Sequence, residues 1–443
     1  MTRRLRHNGL RSQLVPEQVR RLVPALVTLV VLLFAGCAPQ PGPKITTIRF
    51  WAMGHEGEVV RSLADQFERE NPGIKIDVQQ IPWSAAHEKL LTAHVGRSSP
   101  DAAQLGNTWI AEFHALDALE PLSARAAASK DVPKSAFFEG IWNTNVVDGE
   151  TWGIPWYVDT RVLFYRKDIL KAAGYDSIPQ DWAGWRASMA AVVKHTGQKA
   201  ILLPVNEWTV PVVLGLQAGS PLLKDDGTRG AFADPQFKQA FDFYQGLFRD
   251  GLAPGLANTE ISNLYQEFAR GSFAMYVTGP WNLSEFAARM PDSLKDAWDT
   301  APMPGPTGAA SGLSTAGGSS LVVFRTSRHQ EEAWRWVEFL SRPESQRKFF
   351  HDSGDLPARR EAWDDSTLAS NPRALAFRTQ FERVAPTPLV PEWELIASRL
   401  QVKVEAAIRG AIPGDSALTQ LDGEVDKILA KRRWMLSRKV AAR

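Results

Sequence analysis

Apolar and polar positions along the chain predict strands and helices in alternation. Ile45 to Trp51 predicts a strand. Ile74, Ile76 and Val78 alternate with Lys75, Asp77 and Gln79 and predict a second strand by their period of two. Between them, Glu58 to Glu70 predicts a helix with Val60, Leu63 and Phe67 on one face, stopped at Asn71-Pro72-Gly73. Ala86 to Gly96 predicts another helix. This alternation implies a mostly parallel sheet with helices packed on it, an α/β fold. Such sheets take ligands in the loops beyond the carboxyl ends of their strands.

Helical periodicity returns further along. Gln236 to Phe248 places Phe237, Ala240, Phe241, Tyr244 and Phe248 on a buried side, and Gln330 to Leu340 does the same with Ala333, Trp336, Val337 and Leu340. Leu418, Leu421, Val425, Ile428 and Leu429 predict a terminal helix. Met303 to Gly312 is rich in Gly and Pro and reads as a loop where the chain can cross between lobes. No fixed-period repeat is present.

Length changes the picture: 443 residues exceed one ordinary domain, so two or three domains or one two-lobed unit are expected. Charge matters mainly at the N-terminus. Residues 1–36 hold six Arg and one Glu, net +5, so the overall +2 becomes −3 over residues 37–443. That balance gives no electrostatic reason to seek nucleic acid. The apolar run from Leu22 to Ala35 has 14 residues, short of the ~20 that span a bilayer. It follows a cluster of Arg and ends Ala35-Gly36-Cys37, which reads as an export signal. A Cys directly after two small residues resembles the bacterial lipoprotein signal, with Phe34 departing from the usual aliphatic residue. Cys37 is the only cysteine of the chain, which excludes a disulfide framework or a multi-cysteine zinc site. The following Pro-rich stretch, 37–43, reads as a semi-rigid tether.

Several chemistries are missing from the pattern. There is no phosphate-binding P-loop, no Gly-x-Gly-x-x-Gly after a strand and no Gly-x-Ser-x-Gly elbow. His55-Glu56 and His87-Glu88 lack the second His of a zinc protease, and no metal or cofactor is expected. A glycosidase pair of carboxylates stays open, because such a pair is matched in space rather than in sequence.

The order of motifs carries a resemblance. Asn71-Pro72-Gly73, Ser99-Pro100-Asp101-Ala102, Asn107-Thr108-Trp109, Trp152 to Asp159, Leu163 to Asp168, Phe268 to Met275, Gly279-Pro280-Trp281, Gly317-Gly318 and Leu356 to Arg359 follow one another as in the extracellular solute-binding proteins of ABC importers. The chain resembles most the class that binds maltose, trehalose and related oligosaccharides. The resemblance implies the two-lobed periplasmic-binding-protein fold of type II, with a hinge between lobes and ligand in the interlobe cleft. It divides the chain into 44–153 plus 301–354 for one lobe, 154–300 plus 355–435 for the other, and a tail, 436–443. It further implies no catalysis, a monomer, and ABC permease subunits with a separate ATPase as partners. A lipid anchor at Cys37 would hold the exported protein at the cell envelope, on the periplasmic face in a Gram-negative cell.

A pyranose has an apolar face, which aromatic rings cover, and a rim of hydroxyls, which carboxylates, amides and Arg take. The chain has 16 Trp, of which Trp334, Trp336, Trp182 and Trp185 read as packing. By resemblance the ligand-binding candidates are Glu56, Asn107, Tyr157, Asp159, Trp281, Gly318, Ser319 and Arg359, with His87, Trp208 and Trp83 beside them. Asn107 stands where family members often carry an acid, and Ser319 where close relatives place Trp. Arg359 also has a structural reading, paired with Glu361 or Asp355. Two alternatives remain: the same fold with glycerol 3-phosphate or a glycerophosphodiester as ligand, clamped by Arg359 or Arg360, and a surface carbohydrate-active hydrolase.

Overall fold

The computed structural model describes residues 45–441. The expected signal, tether and lipidation site, 1–43, lie outside the described residues. The first expected elements are present and slightly longer. The opening strand is Thr46–Met53, the helix after it Glu56–Glu70, and the second strand Ile74–Ile81, paired in parallel with the first. The helix buries Val60, Leu63, Ala64 and Phe67 and ends where Asn71 bonds the Phe67 carbonyl through both its backbone N–H and its side-chain amide.

Two sheets organise the chain. The larger has six strands in the order Leu356–Pro357, Ile154–Asp159, Gly317–Val323, Ala102–Gly106, Thr46–Met53 and Ile74–Ile81. Its last three strands are parallel and the others join antiparallel, so it is mixed rather than mostly parallel. The smaller has Trp298–Ala301, Val162–Arg166, Phe273–Thr278 and Lys199–Leu202. One apolar cluster joins them: Phe138 packs on Trp363 and Phe381, while Phe377 of the same helix as Phe381 packs on Phe164 of the smaller sheet.

The chain passes from sheet to sheet at Thr160–Arg161, through the Gly- and Pro-rich loop before Gly317, and after the turn Arg360–Asp364. These positions correct two expected boundaries. Strand Ile154–Asp159 belongs to the larger sheet, so the first crossing comes after Asp159 and not at Gly153. Leu356–Pro357 pairs with that same strand, so the last crossing follows it and not Gly354. The expected tail is helical as far as Ala441, in a helix that starts at Ala430. Two crossings are stitched together: Thr160 Oγ1 donates to the Thr315 carbonyl (2.7 Å), and Ser314 Oγ donates to the Arg161 carbonyl (2.9 Å). Among the described residues no helix is long and apolar enough to cross a membrane.

Candidate ligand-binding site

Glu56 opens its helix just past the carboxyl end of the first strand, which is where a sheet of this kind exposes its loops. Its Oε1 accepts from the Tyr157 hydroxyl (2.7 Å) and from Trp83 Nε1 (3.3 Å). Behind Tyr157 lies a buried polar network. Gln104 Nε2 donates to the Tyr157 hydroxyl (3.1 Å) and to Ser319 Oγ (3.2 Å), and Ser319 Oγ lies 3.0 Å from the same hydroxyl. Gln104 is itself fixed by the Met53 backbone N–H on its Oε1 (2.8 Å). A satisfied network of this kind holds one ring orientation. Burial, reinforced by the Glu56 and Asp355 charges, pushes the Tyr157 phenol well above its ordinary range.

Asp159 and Asp355 continue this acidic floor. Burial raises Asp159, while the Arg161 guanidinium, 3.4 Å from its Oδ1, and the Gly318 amide pull it back. Burial, then the Glu56 and Asp159 charges, push Asp355 up to about 8. The strand that brings these groups together needs glycine at its start. Gly318 has φ +116°, and a Cβ there would meet the Tyr157 carbonyl at 2.3 Å. Asn107 is buried, its Oδ1 accepting from Ser320 Oγ (3.1 Å) and its Nδ2 without a partner.

Aromatic rings form the other walls. Trp281 is 48% exposed, with its ring over Gly279, where a Cβ would come within 2.0 Å, and the Arg161 guanidinium 4.7 Å from the ring centre. Trp83 is 39% exposed and meets Trp109 edge-to-face at 5.9 Å. Trp208 is propped edge-to-face on Trp393 at 5.7 Å. Together these groups enclose a cleft of about 480 Å³ between the two sheets. Of the sequence candidates, Glu56, Asn107, Tyr157, Asp159, Trp208, Trp281, Gly318 and Trp83 line it.

Three candidates sit elsewhere. Arg359 is buried away from the cleft, donating to Glu361 (3.0 Å) and to the Ser341 carbonyl (3.2 Å) and lying over Phe137. Its guanidinium ties together chain segments and is not a cleft clamp. His87 backs the wall: its Nε2 is 2.6 Å from Glu112, whose hydrogen bond raises the imidazole, and its ring lies 5.0 Å from Trp109. Ser319 holds the Tyr157 hydroxyl from behind and is fully buried. The cleft also holds Trp109, Arg161, Asp355 and Glu394, which were not among the candidates. Trp109 was legible, two residues beyond Asn107 in the same motif. Arg161, Asp355 and Glu394 have no local signal and are brought in by the crossings and by helix Trp393–Ile408. Among the described residues no group of His, Cys, Asp and Glu side chains is arranged to hold a metal ion.

The comparisons with known proteins agree with this architecture. The family profile described as bacterial extracellular solute-binding protein matches residues 54–347. The solved structure of the sugar-binding protein MalE from Xanthomonas citri is 47% identical and superposes with a TM-score of 0.86, covering 88% of this chain and 99% of that one. A putative binding protein of Brucella abortus is 27% identical over 92% of this chain and 98% of its own length. The diacetylchitobiose binding protein DasA of Streptomyces coelicolor is 26% identical over 87% of this chain and 91% of its own. A two-lobed fold, a cleft between its sheets and a match over most of the chain lead to one conclusion: the chain belongs to the bacterial extracellular solute-binding protein family.

Proposed function

We propose that this protein is the ligand-capturing component of an ABC importer and that its ligand is a neutral oligosaccharide, an α-glucoside of the maltose or trehalose class. The lobes close over the sugar by a hinge motion and deliver it unaltered to permease subunits driven by a separate ATPase. The observation that carries this reading is the cleft wall itself, exposed Trp faces set against carboxylates. Rings cover the apolar face of a pyranose, and the polar groups bind its hydroxyls. A site built to bond hydroxyls rejects a ligand that lacks them, because its own groups are then left unpaired.

The phosphate-ester alternative loses its clamp. Arg359 is committed to Glu361 and backbone carbonyls, and Arg360 to Glu382. Among the described residues Arg161 is the one arginine lining the cleft; it is balanced by Asp159, and the Glu56 and Glu394 carboxylates add negative charge that repels an anion. A hydrolase reading has the family against it. The same proposal includes lipidation of Cys37, retention at the cell envelope and action as a monomer.

Calorimetry of residues 37–443 against α-glucosides and glycerol 3-phosphate tests the ligand class. Micromolar binding of a saccharide, about −8 kcal/mol, with the saccharide recovered intact by chromatography, supports it. Heat from the phosphate ester alone, or release of shorter sugars, refutes it.

A further inference from the structure

The last helix, Ala430–Ala441, plays no part in the cleft. From Ala430 to Arg443 the sequence holds six Lys or Arg and no Asp or Glu. Residues 37–443 carry net −3, so residues 37–429 carry net −9 and the basic charge is concentrated at this one end.

One side of the helix is fixed to the protein. Leu429, just before it, is fully buried, and Arg433 donates to the carbonyls of Thr228 (2.7 Å) and Asp426 (3.2 Å). That leaves Lys431, Trp434, Met435 and Arg438 facing solvent, spaced i, i+3, i+4 and i+7 and so on one face. Trp434 is 55% exposed and Met435 42%, and the Arg438 guanidinium lies 4.2 Å from the Trp434 ring centre. Two large apolar side chains held open to water between cations are a poor solvated surface. They are the side-chain types found at a membrane interface, where Trp sits at headgroup depth and Lys or Arg meets anionic lipid.

We propose that this face docks on an anionic phospholipid bilayer. Charge complementarity selects the occupant: the acidic remainder of the protein is repelled from such a surface, so contact is confined to this helix and sets how the protein stands on the membrane. The contact is independent of lipidation at Cys37 and of the identity of the cleft ligand.

The test uses residues 37–443 with Cys37→Ser, so that no acyl chain contributes; residues from Thr46 onward form one compact unit. The protein is sedimented with vesicles of phosphatidylcholine alone and with vesicles containing phosphatidylglycerol. Expected is at least tenfold higher partition onto the anionic vesicles, lost in high salt. The double variant Lys431→Glu, Arg438→Glu should lose at least tenfold, at roughly fivefold per charge, with melting temperature unchanged. Trp434→Ala, a single exposed substitution, serves as the second variant and should remove the fluorescence quenching given by brominated anionic lipid. Equal partition onto both vesicle types, no partition onto either, or undiminished binding by the variants overturns the proposal.

Discussion

Asp355 gives the most quantitative handle on the cleft. Its carboxyl is pushed from 3.8 to about 8 by burial and by the Glu56 and Asp159 charges. A folded-state pKa above the unfolded value means that the native protein holds a proton that the unfolded chain has released. The stability associated with that proton is fully present below about pH 4 and is lost as the pH rises towards 8. At about 1.4 kcal/mol per pH unit the gap caps the loss at about 6 kcal/mol. Asp355 keeps part of its surface open to the cleft, so solvent relaxes the penalty, and about 1–3 kcal/mol is the working figure. Asp355→Asn removes the ionisation and keeps the shape. Thermal melts of both proteins between pH 4 and 9 should therefore converge at the acid end, with the variant ahead by a few degrees at pH 8 to 9. Two curves separated by a constant offset across the whole range would refute the reasoning, since the variant would then act through packing and not through charge.

Two further substitutions separate the cleft from the scaffold. Trp281→Ala removes a half-exposed ring, so the melting temperature should stay within a few degrees while saccharide affinity, measured by calorimetry, falls roughly 10- to 100-fold, the worth of about 1–3 kcal/mol of stacking and burial. Arg359→Ala should do the reverse: it strands the Ser341 and Asp131 carbonyls, removes the guanidinium packed over Phe137 and costs about 1–3 kcal/mol in urea unfolding, with affinity unchanged in the protein that remains folded.

The legible parts of the fold were those written locally. Periodicity found the opening strand, helix and strand because Val60, Leu63 and Phe67 fall on one helical face and Ile74, Ile76 and Val78 on one strand face. The lobe boundaries were not local facts. Strand Ile154–Asp159 reads as the start of a new run after Gly153, and only its pairing with Gly317–Val323 assigns it to the larger sheet. The final helix was hidden for a different reason: with Lys431, Arg432, Arg433, Arg438 and Lys439 around Trp434 and Met435, it offers no continuous apolar face for periodicity to detect.

The same division runs through the site. Glu56, Tyr157, Asp159 and Trp281 were identifiable because each sits in a short motif beside a glycine or a strand end, and such motifs survive as sequence. Arg359 sat in an equally good motif and misled, because a motif fixes where the backbone goes and not which way a long side chain turns. Here a buried guanidinium found Glu361 two residues on and the carbonyls of distant segments, partners no cleft position could have matched without stranding a charge. Arg161 is the converse case. It has no motif, yet it lies in the first crossing, where its backbone carbonyl is bonded by Ser314 of the second crossing while its side chain reaches Asp159 and the face of Trp281. The residue that links the hinge to the cleft is thus one whose role exists only once both sheets are in place.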